Sequence, residues 1–352
     1  MSEAFALVTG ASGFVGGQLV RALLARGERV KALVRPGSSL RQLEGLPSER
    51  FRLAYGDITV MHSIYAALSR CDRMYHVASN FKMWDKAPER ILGPAVEGTR
   101  ATLEAARRRG LEKIVVTSSV AALGTTRPDS PMDETHEFNL DDPETYILSK
   151  RRALDVVEAY ANDGLPVLSV LPSGIFGPGD WKPTPTGASV VQYLRMSPAF
   201  RLPVTRGGLN VVDVADVVQG HLLAMDRGRV GERYILGGED LTFEQIFQAL
   251  SDLTGLAAPG RTLSEGLVSL GGSLMELAAR LGGGEPLLTR RLARDYACAY
   301  AWVTSAKAEQ ELGYTHRPAR EALARSVRYF LEKGYVPERA ARRVRLDPRF
   351  AA

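Results

Sequence analysis

A tyrosine and a lysine stand four residues apart in this chain, as Tyr146 and Lys150. On a helix, residues at this spacing lie on the same face, one turn from each other. An ammonium group so close to a phenol stabilises the phenolate, so we expect Lys150 to lower the pKa of Tyr146. A phenol tuned in this way can pass a proton to or from a substrate oxygen. The same spacing also occurs on ordinary solvated helices. Other features of the sequence must therefore decide whether Tyr146 and Lys150 are catalytic or simply lie on such a helix.

A glycine-rich turn near the N-terminus could hold the phosphates of a cofactor. Residues 5–8 form a short apolar run typical of a strand, and residues 14–27 have helical apolar spacing. Between them the glycines recur as Gly10, Gly13 and Gly16. Such a turn lets the backbone approach a pyrophosphate, and the N–H groups of the helix N-terminus favour its charge. A plain strand-to-helix connection is the alternative interpretation.

The second predicted strand, residues 30–35, ends in a cation rather than an acid. An acidic residue at this position would hold the ribose 2′-hydroxyl of NAD. Here the position is Arg35, and Ser38 and Arg41 follow shortly after. A cation suits the additional 2′-phosphate of NADP, although a solvated arginine at a strand end is the alternative. The sequence therefore predicts NADP as the cofactor, with NAD as the second choice.

Strands and helices continue to alternate through the first half of the chain. A long helix is predicted over residues 89–109, and a second one begins at Asp142 and Pro143, carries the tyrosine, and ends near Asn162. Ligands of such folds bind at the carboxyl ends of the strands, which places Asp57 near the adenine and residues 78–80 near the nicotinamide. The other predicted strands cover residues 51–55, 74–78, 114–116 and 167–171.

This alternation predicts an α/β fold, a doubly wound parallel (Rossmann) sheet with a smaller C-terminal substrate lobe. The predicted dinucleotide-binding domain covers residues 1–180, with return segments at about 210–238. The predicted substrate lobe comprises residues 181–209 and 239–337, and residues 338–352 read as a loose basic tail. The apolar run over residues 263–281 suits core packing best, with a lid over an apolar substrate or a peripheral membrane face as alternatives.

Composition excludes several other classes of protein. The net charge is +5, but residues 338–349 hold five arginines against Glu338 and Asp347, which leaves the remainder near +2 and without a nucleic-acid face. Cys71 and Cys298 are the only cysteines, and the histidines are scattered, so we expect no metal site. No uncharged apolar run reaches the roughly 18 residues of a membrane span, and no signal peptide is evident. We expect a cytoplasmic protein with a small-molecule substrate.

Seven short motifs occur in the order found in the extended short-chain dehydrogenase/reductases, also called the NAD-dependent epimerase/dehydratase family, which this chain resembles over nearly its whole length. The resemblance is greatest to the dihydroflavonol-reductase-like branch, which includes hydroxysteroid dehydrogenases and hopanoid-associated sugar epimerases. Arg35 and residues 208–212 and 285–288 are the cues for that branch. The seven motifs are residues 9–16, 56–58, 76–78, 96–99, 117–119, 146–150 and 177–180.

The resemblance implies a role for individual residues. Tyr146 would be the acid/base, Lys150 would lower its pKa and hold the nicotinamide ribose, and Ser119 would bond the substrate oxygen, with Thr117 and Ser118 as less favoured occupants of that role. Relatives also pair through their long helix and tyrosine-bearing helix, so a homodimer is compatible with the sequence. The residues implied in cofactor binding are Gly10, Ser12, Gly13, Phe14, Val15, Gly16, Arg35, Asp57, Ile58, Ala78, Tyr146, Lys150, Pro172 and Ser173.

Two positions depart from the family pattern. Ala95 occupies a helix position where many relatives have an asparagine, so a proton relay built on that asparagine is missing or built differently. Leu171 stands where many nucleotide-sugar enzymes carry an arginine, which weakens the interpretation as a sugar enzyme.

Four further residues carry simpler interpretations. His76 lies within a predicted strand and is expected to be a packed core histidine rather than a catalyst, and Asp216 is expected to be a structural hydrogen-bonding residue. Phe81 and Trp84 follow the carboxyl end of a strand, where contact with substrate and simple exposure are equally compatible with the sequence.

These observations lead to three functional hypotheses. The preferred one is an NADP-dependent oxidoreductase that interconverts a ketone or aldehyde and an alcohol, with Tyr146 moving the proton. The second is an NAD-dependent nucleotide-sugar epimerase or dehydratase, which recycles its cofactor in each turnover. The third, a non-enzymatic cofactor sensor, is disfavoured because the serine, tyrosine and lysine are all present. The substrate itself is not legible from the sequence.

Overall fold

The computed structural model of the chain describes residues 4–47, 49–79, 83–127, 130–196, 201–284, 286 and 288–350. Its strands are β1 (Phe5–Thr9), β2 (Val30–Val34), β3 (Phe51–Tyr55), β4 (Cys71–His76), β5 (Lys113–Thr117), β6 (Val167–Pro172), β7 (Gly174–Phe176), β8 (Gly208–Asp213), β9 (Arg233–Leu236), β10 (Glu239–Thr242) and β11 (Tyr300–Ala301). Its α-helices are α1 (Phe14–Ala25), α2 (Met61–Ala67), α3 (Glu89–Arg109), α4 (Thr145–Asn162), α5 (Pro185–Arg195), α6 (Val214–Arg227), α7 (Phe243–Thr254), α8 (Glu265–Ala278), α9 (Arg290–Leu292), α10 (Ala306–Leu312), α11 (Ala319–Glu332) and α12 (Glu338–Ala341).

A seven-stranded parallel sheet of order β3-β2-β1-β4-β5-β6-β9 forms the centre of the molecule. One face packs on α1 and α6 through residues such as Leu23 and Val217, and the other packs on α2, α3 and α4 through residues such as Ile64 and Leu103. The strand order reverses between β1 and β4, which is where ligands of such sheets bind. The predicted doubly wound parallel sheet is confirmed.

A second, smaller sheet organises the C-terminal half. Strand β8 lies at its centre and pairs with β10 in antiparallel fashion and with β7 and β11 in parallel fashion. Helices α5, α7 and α11 pack around it through buried residues such as Val190, Leu250 and Phe330. The sequence did not indicate this sheet, because its strands are short and pair across large separations along the chain. The predicted domain boundaries stay a prediction.

The segment that the sequence presents as a loose tail is folded. Val344 and Leu346 pack against the core of the smaller lobe. The backbone N–H of Arg345 donates to the carbonyl of Thr254 at 2.8 Å, and that of Asp347 donates to the carbonyl of Leu253 at 2.9 Å. The arginines here are therefore carried on an ordered surface rather than on a loose extension.

The apolar stretch over residues 263–281 does not lie in the core, so that interpretation was wrong. It forms α8 and a following π-helical turn, Ala279–Gly283. Val268 and Gly272 are buried, whereas five leucines of the same stretch are exposed. Periodicity identified the helix correctly but could not show that its apolar face would remain uncovered. None of the helices within the described ranges is long and apolar enough to cross a membrane.

The tyrosine-bearing helix α4 begins at Thr145, later than the predicted start at Asp142 and Pro143. Its N-cap residue is Glu144, whose backbone N–H donates to Asp295 Oδ2 at 2.9 Å. A contact with a residue far along the chain thus fixes where the helix begins. Local capping signals could not reveal such a contact.

Residues 289–295 are fastened to the start of α4 by a buried polar network, which we call the lobe clamp. The hydroxyl of Thr289 donates to Glu144 Oε2 at 3.0 Å, and Arg294 donates to the carbonyl of Asp142 at 2.5 Å. Arg294 also pairs with Asp295, a residue that is 3% exposed. The clamp connects the smaller lobe to the helix that carries Tyr146.

Replacing Gly16 with alanine should destabilise the turn before α1. An added Cβ would lie 2.2 Å from the carbonyl oxygen of Gly10, and backbone atoms cannot move aside cheaply. We expect a loss of about 1–3 kcal/mol in the free energy of unfolding, measured by urea denaturation. Gly271→Ala in α8 is the control, because its Cβ meets nothing within 4 Å and should stabilise the protein slightly. Equal effects of the two substitutions would contradict this account of the turn.

Replacing Asp295 with alanine should weaken the lobe clamp. The buried N–H of Glu144 loses its acceptor and Arg294 loses its partner, which should lower the free energy of unfolding by about 1–3 kcal/mol. Arg291→Ala removes a half-exposed ion pair with Asp142 and should cost less than about 1 kcal/mol. The same urea titration compares the two variants. A cost for Asp295→Ala no greater than that for Arg291→Ala would show that the clamp contributes little.

Candidate active site

The parallel sheet gathers the predicted site residues at the carboxyl ends of its strands. Because these ends meet at a single edge, residues distant in the sequence come into one cleft. Each of six strands contributes a segment to this edge: the turn at Gly10 after β1, Arg35 after β2, Asp57 after β3, Ala78 after β4, Ser119 after β5 and Ser173 after β6.

The glycine turn fits closely against the exit of β4. Gly10 has a φ of 66°, and a Cβ there would lie 2.7 Å from the Cα of Ala78. Gly13 is the N-cap of α1 and brings no side-chain cap to the helix start. The turn therefore presents backbone N–H groups in a space from which side chains are excluded, as the pyrophosphate of a dinucleotide requires.

A loop from beyond β7 lies against the same turn. The indole N–H of Trp181 donates to the carbonyl of Ser12 at 3.0 Å, and Gln18 donates to the carbonyl of Pro178 at 3.1 Å. Phe14 and Val15 begin helix α1 at this point. Sequence reasoning did not identify the contribution of Trp181 or Gln18, because neither belongs to a motif.

Arg35 and Asp57 stand at the ends of the neighbouring strands β2 and β3. Asp57 Oδ1 accepts hydrogen bonds from the N–H of Thr59 at 2.9 Å and from its hydroxyl at 2.7 Å. The hydrogen bond from the Thr59 N–H is the largest cause that lowers the pKa of Asp57, and the positive charge of nearby Arg35 lowers it further. Arg35 itself is exposed, so its guanidinium is accessible to a ligand at this edge. Ile58 packs against Gly98 of α3.

Lys150 is almost fully buried, at 8% exposed. Its Nζ donates to Ser79 Oγ at 2.5 Å and lies 5.4 Å from the ring centroid of Tyr146. Burial lowers the pKa of Lys150 to about 8, because the charged form loses its hydration. The lysine is thus held one helical turn from the phenol, as its spacing predicts.

The pKa of Tyr146 is raised, whereas the sequence analysis predicts that it is lowered. Burial raises the pKa of this phenol above its ordinary value, the neighbouring Tyr296 raises it further, and a hydrogen bond with Ser119 lowers it. The expected lowering by Lys150 is not seen, and loss of water around the phenol dominates. The residue is held in its protonated form.

Among the three hydroxyl residues that end β5, Ser119 is the one in contact with Tyr146. The hydroxyl of Thr117 is engaged with His221 Nε2 at 2.7 Å. The Oγ of Ser118 is buried and has no hydrogen-bond partner among the described residues. Of these three hydroxyl residues, Ser119 therefore lies beside the phenol, and its role toward a substrate stays a prediction.

His76 is a packed core histidine, as predicted. It is 2% exposed, and its Nδ1 lies 2.8 Å from the hydroxyl of Thr9, which also accepts the N–H of Ala78 at 3.1 Å. Burial lowers the pKa of His76 to about 4, with a further contribution from Lys150, so the ring is neutral. The residue braces β1 against β4 beneath the glycine turn.

The predicted structural role of Asp216 is also confirmed. This buried carboxylate accepts the backbone N–H of Arg317 at 2.9 Å and pairs with its guanidinium at 2.9 Å. The pair joins α6 to the segment that precedes α11.

Pro172 and Ser173 form the exit of β6. The hydroxyl of Ser173 donates to Asn210 Oδ1 at 2.7 Å, and the same oxygen accepts the N–H of Gly238 at 2.6 Å. Asn210 is 1% exposed, so this contact fixes the exit of β6 against the second sheet.

Tyr296 is a site residue that the sequence analysis missed. It follows Asp295 of the lobe clamp and lies close enough to Tyr146 to raise the pKa of that phenol. No motif contains it, and about 150 residues separate the two tyrosines.

Of the predicted aromatic contacts, Trp84 is half-buried, while Phe81 and the preceding Asn80 lie outside the described residues. In the part of the chain that the structure describes, no cluster of His, Cys, Asp or Glu could hold a metal ion.

Comparisons with known proteins agree with this geometry. The sequence profile of the NAD dependent epimerase/dehydratase family matches residues 6–237. A putative dihydroflavonol 4-reductase of Synechocystis sp. is 35% identical over 342 residues, which cover 96% of this chain and 97% of that protein. Sterol demethylase protein B of Methylococcus capsulatus is also 35% identical, over 94% of this chain and 99% of that protein. Cinnamoyl-CoA reductase 1 of Oryza sativa is 32% identical over 70% of this chain and 75% of that protein.

Solved structures show the same fold. The crystal structure of gox2253 superposes with a TM-score of 0.82 at 37% identity and covers 95% of this chain and 100% of that one. A nucleoside-diphosphate-sugar epimerase from Pseudomonas aeruginosa superposes with a TM-score of 0.76 at 23% identity, over 95% of this chain and 99% of that one. The glycine turn, the tyrosine and lysine on α4 and these similarities together place the chain in the NAD-dependent epimerase/dehydratase family, as an enzyme of the extended short-chain dehydrogenase/reductase type.

Proposed function

We propose that this enzyme is an NADP-dependent oxidoreductase that interconverts a ketone or aldehyde and an alcohol. The observation that carries the proposal is the buried, protonated phenol of Tyr146, held beside Ser119 and one turn from Lys150. A neutral phenol in a dry site is suited to giving a proton to an oxygen that gains negative charge. Relatives named as dihydroflavonol 4-reductase and cinnamoyl-CoA reductase support net reduction.

The residues of the sheet edge would hold the cofactor along its length. The turn from Gly10 to Gly16, including Ser12, Gly13, Phe14 and Val15, would meet the pyrophosphate, and Asp57 and Ile58 would meet the adenine side. Ala78, Pro172 and Ser173 would lie beside the nicotinamide, with Lys150 on its ribose. The nicotinamide, when bound, supplies or takes the hydride of the reaction.

The protein's own contribution would be the control of one proton. Ser119 would hold the substrate oxygen, and Tyr146 would donate its proton to that oxygen in reduction or accept one in oxidation. Tyr296, which follows Asp295 of the lobe clamp, would border the same space and limit the shape of the substrate. Ala95 stands in place of the asparagine on which relatives build a proton relay. Lys150 donates a hydrogen bond to Ser79, and this contact would be one route for a proton out of the site.

Replacing Tyr146 with phenylalanine should remove the proton donor while keeping the ring. We expect kcat to fall about a hundred- to ten-thousand-fold on the best aldehyde or ketone of a substrate panel. The measurement is NADPH oxidation followed by absorbance. Tyr160→Phe on the same helix is the control, because its ring packs on Arg107 at 4.6 Å, away from the cleft. Undiminished turnover by Tyr146→Phe would remove this residue from the mechanism.

Replacing Arg35 with serine should test the choice of NADP. The guanidinium would bond the 2′-phosphate, and hydrogen bonds to charged groups are worth about 10- to 100-fold in affinity. NADPH binding, measured by fluorescence titration, should weaken by that factor while NADH binding stays unchanged. Arg152→Ser removes an exposed arginine of α4 and should change neither affinity. A parent protein that binds both cofactors equally would refute the argument.

An NAD-dependent nucleotide-sugar epimerase or dehydratase is the alternative, and the name of the family profile favours it. Against it, Leu171 is fully buried at the position where many nucleotide-sugar enzymes carry arginine. Denaturing the purified protein and measuring released cofactor distinguishes the two. Stoichiometric bound NAD, together with no net reduction of added cofactor, would support the alternative.

A further inference from the structure

Helix α8 and the turn that follows it carry a leucine stripe on the outside of the molecule. The stripe comprises residues separated by three and four positions in turn, which places them on one face of a helix. Their exposed fractions range from 55% to 81%, and Met275 beside them is 44% exposed. The five residues of the stripe are Leu267, Leu270, Leu274, Leu277 and Leu281.

This arrangement is the reverse of an ordinary surface helix. Val268 and Gly272 are buried, and a Cβ on Gly272 would lie 2.6 Å from the carbonyl of Thr289 in the lobe clamp. By helical spacing the two glutamates of α8, Glu265 and Glu276, lie off the stripe, and Arg280 at its edge pairs with Glu276 at 2.6 Å. A solvated helix would place its polar residues outermost. An apolar surface without charges over four turns indicates an interaction surface.

We propose that the leucine stripe docks this enzyme on the surface of a lipid bilayer. A helix lying in the interface buries such an apolar face among the upper acyl chains. Arg280 stands next to Leu281 at the C-terminal end of the stripe, and its side chain is 69% exposed. Its guanidinium could reach the phosphates of the headgroups while its stem stays on apolar surface.

The size and shape of the stripe favour a bilayer over a second copy of the chain. The exposed apolar surface here consists of six large side chains, the five leucines and Met275. Stable dimers bury about 800 Å² on each partner, contributed by roughly 20–30 residues a side. The stripe is also a single convex ridge of two heptads that ends at Gly282, which breaks the helix with a φ of 111°. A pair of such short helices would be marginal, whereas a bilayer accepts a ridge without a matching groove.

Docking here would bring the catalytic cleft close to the membrane surface. The buried side of α8 packs against residues 289–297, the segment that carries the lobe clamp and Tyr296. The membrane-facing helix is therefore one packing layer from the start of α4. The proposal does not depend on the reaction, since its test measures binding alone.

The test is co-sedimentation of the full chain with vesicles of phosphatidylcholine and phosphatidylglycerol. We expect the parent protein to sediment with the vesicles, and the double variant Leu270→Glu and Leu274→Glu to bind at least tenfold more weakly, because charge is excluded from the acyl region. Val230→Glu is the control, since Val230 is an isolated residue, 50% exposed, and its replacement should leave binding unchanged. NADPH affinity and the thermal unfolding midpoint should be the same in all three proteins.

Three results would overturn the proposal. The first is a parent protein that stays in the supernatant, and the second is a double variant that binds vesicles as well as the parent. The third is a parent dimer in sedimentation velocity that the double variant converts to a monomer, which would assign the stripe to a second copy. Arg280→Ala should lose affinity for the mixed vesicles and not for pure phosphatidylcholine.

Discussion

The removal of water around Tyr146 and Lys150 is the constraint on which the rest of the site depends. Burial disfavours charge on both side chains, so it raises the pKa of the phenol and lowers the pKa of the lysine to about 8. The hydrogen bond from Ser119 acts in the opposite direction but does not outweigh the burial. The site therefore keeps the phenol of Tyr146 in its protonated form.

Several distant parts of the chain maintain this environment. The parallel sheet sets the floor of the cleft, and His76 and Thr9 brace the strands beneath the glycine turn. The lobe clamp holds Glu144, the N-cap of α4, and Tyr296, which follows Asp295 of the clamp, lies near the phenol. Asn210 ties the exit of β6 to the second sheet. The surroundings of Tyr146 result from contacts between the two halves of the chain as much as from the helix that carries the tyrosine.

The sequence predicted those features whose signals are local. Alternating strands and helices, the spacing of Gly10, Gly13 and Gly16, and the four-residue step from Tyr146 to Lys150 were sufficient for the sheet and its ligand-binding edge. The second sheet and the lobe clamp were missed, because both arise from pairing between residues far apart in the sequence. The periodicity of α8 identified a helix, yet whether another element covers its apolar face depends on the whole fold. The pKa of Tyr146 was also misjudged, since spacing reveals a neighbouring charge and not the surrounding water.

An ultraviolet difference titration of the parent protein against Tyr146→Phe tests the central claim most directly. The chain has 12 tyrosines, so the difference spectrum isolates the contribution of this one phenol. The account predicts that no phenolate absorbance from Tyr146 develops below about pH 10, the ordinary pKa of a tyrosine. A phenolate that develops near neutral pH would contradict it, because the lysine would then outweigh the burial.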